Sequence, residues 1–92
     1  MRVFLVYEIE SEAGWGGRVD DQYIFPTAEL AQEFCTKYDE KYNPDRGTPG
    51  VSTPDWYTIQ EYVGACDVTK EQFEKFKYTG DLVKMPENWE YV

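Results

Sequence analysis

The sequence predicts a small α+β domain: a mostly antiparallel sheet of three to four strands with two helices packed on one face. Three observations predict it. Alternating apolar residues run through three separate segments, helical periodicity fills two others, and the order strand, strand, helix, strand, helix suits a short sheet with helices laid on it. Ninety-two residues with no repeat, low-complexity tract or composition break make residues 1–92 one domain.

Residues 2–10, RVFLVYEIE, form the first expected strand. Val3, Leu5, Tyr7 and Ile9 share one face. Phe4 and Val6 make the first half apolar on the other face too, as in a central strand covered on both sides, before Glu8 and Glu10 return that face to water. Residues 19–25, VDDQYIF, form a second strand with Val19, Tyr23 and Phe25 in phase. The segment from Ser11 to Arg18 is longer than a two-residue hairpin and is expected as a mobile loop.

Thr27 is a natural N-cap for the first helix, with Glu29 in its first turn. Leu30, Ala31, Phe34, Cys35, Tyr38 and Tyr42 recur at helical spacing as one apolar stripe. Glu33 precedes Lys37 by one turn on the opposite side. Asn43-Pro44 ends the helix, because a residue before proline avoids helical geometry. The next stretch, through Asp55, holds three prolines and two glycines and reads as a long loop.

Residues 56–64, WYTIQEYVG, are rich in aromatic and β-branched types and form the third strand. Tyr57, Ile59 and Val63 share one face. Trp56, Thr58, Gln60 and Tyr62 share the other, the more polar one. At residues 69–78 a second helix starts on a capping box of Thr69 and Gln72, flanked by a staple of Val68 and Phe73. Gly80 is its expected stop. DLVKM, residues 81–85, fits a short edge strand, followed by a tail with Trp89 and Tyr91.

Eighteen acids against nine bases give a net charge of −9. That field repels nucleic-acid phosphates and anionic membranes, and it favours a basic partner or serves solubility alone. With no histidine and two distant cysteines, Cys35 and Cys66, no metal site, cofactor or nucleophilic machinery is expected. Both thiols read as buried and free. Asp20 and Asp21 should point to opposite faces as strand neighbours, so no acid–base pair is expected and the chain reads as a non-enzyme. The start has no secretory pattern and no segment approaches membrane-spanning length, so a cytoplasmic location is expected.

The stretch EIESEAGWGGRVDDQYIF sets Trp15 among glycines and between carboxylates. One reading folds the ring back onto the sheet. The other makes it an adaptable anchor at an interface, a role in which tryptophan is favoured. Glu8, Glu10, Glu12, Trp15, Asp20, Asp21 and Trp56 are therefore the candidate partner-binding residues: an acidic rim around aromatic anchors, suited to a basic, grooved protein.

The segments VFLVYEIE, YIFPTAELAQEFCTKY and WYTIQEYVGACDVTKEQFEKF together resemble small acidic proteins encoded by bacteriophages, of the anti-defence, anti-CRISPR-like type. The resemblance covers most of the chain through generic motifs. It implies an inhibitor that occupies a nucleic-acid-binding surface of a host protein in the host cytoplasm, and it carries no catalytic residue. Two alternatives stand beside it. One is an oligomeric sponge holding a small nucleotide through Arg18, Arg46 and aromatic rings. The other is an accessory domain whose acidity only solubilises it.

Overall fold

The computed structural model describes residues 1–12, 16–45, 56–75 and 82–83, with the Trp56 side chain excepted. Trp15, Arg46, most of the long loop, Phe76 to Asp81 and the tail with Trp89 and Tyr91 lie outside these residues.

Three strands, β1 (Arg2–Glu12), β2 (Gly16–Phe25) and β3 (Trp56–Asp67), form one antiparallel sheet in the order β2-β1-β3. Helix α1 (Ala28–Tyr42) follows β2, and helix α2 (Lys70–Lys75) follows β3. The doubly apolar β1 takes the centre, where its pattern placed it, because only a central strand can bury both faces.

The helices do not share one face. On one side of the sheet Val6 and Phe25 pack with Ala31 and Phe34 of α1. On the other, Val3, Leu5 and Ile24 pack with Val68 and Phe73 of α2. The expectation of a single covered face is thus corrected, and β1 itself supplies the reason. Its Phe4 and Val6 need cover as much as Val3 and Leu5 do, and burying each such side chain is worth about 1.5–3 kcal/mol.

Local signals explain the ends of the elements. The Thr27 hydroxyl accepts the Leu30 N–H at 3.1 Å, and Lys37 meets Glu33 at 2.8 Å along α1. The Asn43 N–H bonds to the Asp39 carbonyl as Pro44 halts the helix. Both bonds of the capping box form: Thr69 N–H to Gln72 Oε1 at 2.9 Å, and Gln72 N–H to the Thr69 hydroxyl at 3.2 Å. Leu82 and Val83 form a bend, not the expected strand, and Val83 is buried against the α1 side.

The hairpin is longer and its connection shorter than expected. Glu12 pairs with Gly16, so residues 13–15 alone join the strands, and Ser11, Glu12 and Gly16 to Arg18 are strand residues. Gly16 adopts φ 81°, the left-handed backbone that glycine takes without steric cost. Both outer strands carry an irregularity. The β1–β2 register shifts between Glu8 and Ile9, leaving Asp20 without an opposite residue. The β1–β3 register shifts between Leu5 and Val6, leaving Val63 so, beside Gly64 at φ 118°. Each is a β-bulge, which reverses the phase of side chains beyond it and disfavours strand addition at an edge.

Candidate functional site

The bulge at Asp20 brings Arg18 and Asp20 to the site. Strand phase alone would send Asp20 and Asp21 to opposite faces, but the inserted residue cancels that alternation. Asp21 stands opposite Glu8. Asp20 reaches Arg18, whose own place is opposite Glu10. Beyond the cover of α1, the sheet face therefore presents successive cross-strand rows: Asp21–Glu8–Gln60, Arg18–Glu10–Thr58 and Gly16–Glu12–Trp56. Among the described residues, Glu8, Glu10, Glu12 and Asp21 share this end of the face, and Asp20 joins them through Arg18.

Several of these carboxylates have internal roles as well. Glu10 Oε2 accepts from Arg18 Nη2 at 2.8 Å, and Asp20 Oδ1 accepts from Arg18 Nε at 2.7 Å. A shared hydrogen bond with Glu10, then the arginine, holds Asp20 below the usual carboxylate range, while its two acids raise Arg18 further. Glu8 Oε1 accepts from Gln60 Nε2 at 3.0 Å and from the Tyr23 hydroxyl at 3.4 Å. Asp21 Oδ1 accepts from the Gln22 N–H at 3.3 Å. Glu12 is exposed at the end of its strand.

An aromatic run leads from the core to this region. Phe25 meets Phe34 with ring centroids 5.0 Å apart, Phe34 meets Tyr38 at 6.1 Å, and Tyr38 meets Tyr42 at 4.6 Å. Tyr42 is 55 % exposed, with the Lys41 ammonium 5.2 Å from its ring centre. Asn43 Nδ2 donates to the Thr58 carbonyl at 2.8 Å, tying the end of α1 to the Glu10 row. The two phenols nearest the acids register them. Burial, then the charges of Glu8 and Asp21, push Tyr23 up to about 12. Burial, then Glu8, raises Tyr38.

The structure brings together Glu8, Glu10, Glu12, Asp20 and Asp21 of the residues singled out from sequence. Trp56 is placed by its backbone in the Glu12 row, while Trp15 lies outside the described residues. Sequence reasoning missed Tyr23, Tyr38, Tyr42 and Gln60. The one available signal was the Tyr38–Tyr42 spacing, which reads equally as core stripe. On the third strand Tyr57 and Ile59 share one face and Thr58, Gln60 and Tyr62 the other, as the alternation predicts. The second face turns toward α1 with Gln60 7 % exposed, whereas Val63, expected in phase with Ile59, is unpaired with β1 and 45 % exposed. Val19 leaves the phase of Tyr23 and Phe25 because of the bulge at Asp20 and is 46 % exposed.

On the sheet's β2 edge, a shallow groove of about 350 Å³ runs between Val19–Gln22 and the α2 residues Gln72 and Lys75. Among the described residues, no group of three or more His, Cys, Asp or Glu is arranged to hold a metal ion, and no helix is long and apolar enough to cross a membrane. Compared with protein-family models, curated proteins and solved structures, the chain matches none of them.

Proposed function

We propose that this chain is a non-enzymatic binding protein that docks on a basic, nucleic-acid-binding protein through the acidic end of the sheet face. The sequence resemblance makes that partner a bacterial host protein and the chain a phage-type inhibitor. One observation carries the reading: Glu8, Glu10, Glu12 and Asp21 share one face of the sheet, a bulge sets Arg18 opposite Glu10 with Asp20 bonded to it, and beside them an aromatic run ends in exposed Tyr42. Solubility asks only for charge spread over a surface, not for carboxylates gathered at one end of one face. A phosphate-like row of carboxylates with an aromatic neighbour suits a groove built for nucleic acid, and its charge would chiefly set association rate.

The nucleotide-sponge alternative loses support, because Arg18 is held by Glu10 and Asp20 in a negative field that opposes an anionic ligand.

The test is affinity capture from bacterial lysate with the wild type and with a variant carrying Glu10→Gln, Glu12→Gln, Asp20→Asn and Asp21→Asn. Glu8 is left intact because it holds Gln60 and Tyr23. The expected partner is basic, binds nucleic acid, leaves the wild type at high salt and is lost from the variant. A partner held equally by both proteins at all salt concentrations contradicts the proposal, as does any catalysed turnover.

A further inference from the structure

We draw no further inference here: the strongest candidate, the apolar end of the sheet face opposite the carboxylates, where Val19, Ile9 and Ile59 form one cross-strand row beyond the part covered by α2, carries nothing because nothing in the structure shows what covers it.

Discussion

Gln60 Nε2 donates to Glu8 Oε1 at 3.0 Å, a bond between adjacent strands β3 and β1 that joins residues 52 apart in the chain. It lies where the cover of α1 ends and the acidic rows begin. Replacing Glu8 with Leu removes the acceptor of both Gln60 and the Tyr23 hydroxyl. An unsatisfied buried donor costs about 1–3 kcal/mol, so Glu8→Leu should lower stability by that amount in urea unfolding. Unchanged stability would mean that Gln60 is hydrated.

Tyr23 carries a pH signature. Its folded pKa of about 12 lies above the ordinary value of 10.0. The folded state therefore holds the phenolic proton more tightly than the unfolded state does. Its stabilising contribution is complete below pH 10 and is lost as pH rises through 12. Phenolate absorbance should show Tyr23 ionising after the ordinary tyrosines. Stability should fall across that interval, and fall less in Tyr23→Phe.

Cys35 should be a sluggish thiol. Burial, then Asp39, pushes it up to about 11 from 9.0. Its thiolate population at pH 8 is then roughly a hundredfold below that of an ordinary cysteine, and only the thiolate reacts. Alkylation followed by mass spectrometry should find Cys35 slow in the native protein and fast in urea. Equal rates would place it at the surface.

Gly64 tests the bulge on β3. An added Cβ meets nothing within 4 Å, so Gly64→Ala causes no clash. The cost comes from φ 118°, which an L side chain rarely adopts. Such backbone strain costs about 1–3 kcal/mol, read as a lower urea midpoint with an unchanged slope. A neutral effect would mean that the strand runs on without the bulge.

These bulges also mark where the sequence stops being legible. The central place of β1, the α1 stripe and the capping box at Thr69 rest on local patterns, and all three are present in the fold. A bulge is a single inserted residue with no composition signal of its own. Yet the bulge at Asp20 turns Val19 away from the phase of Tyr23 and sets Arg18 opposite Glu10, and the bulge at Val63 takes that residue out of the ladder. Alternation counted along one strand cannot see either change, because the register belongs to two strands at once. The same limit hid the site. The acids were visible as residues, but their convergence and the partners Gln60 and Tyr38 depend on pairing across the sheet. The division of the helices between two faces was visible in Phe4 and Val6, whose burial requires a second layer.

The central claim, docking through clustered carboxylates, is tested most directly by titration calorimetry of the captured basic partner. The wild type and the variant with Glu10→Gln, Glu12→Gln, Asp20→Asn and Asp21→Asn are compared at low and high salt. The account predicts wild-type affinity that falls steeply with salt, and a variant at least about tenfold weaker at low salt with a shallower salt dependence. Affinities that are the same for both proteins and flat across salt would contradict it.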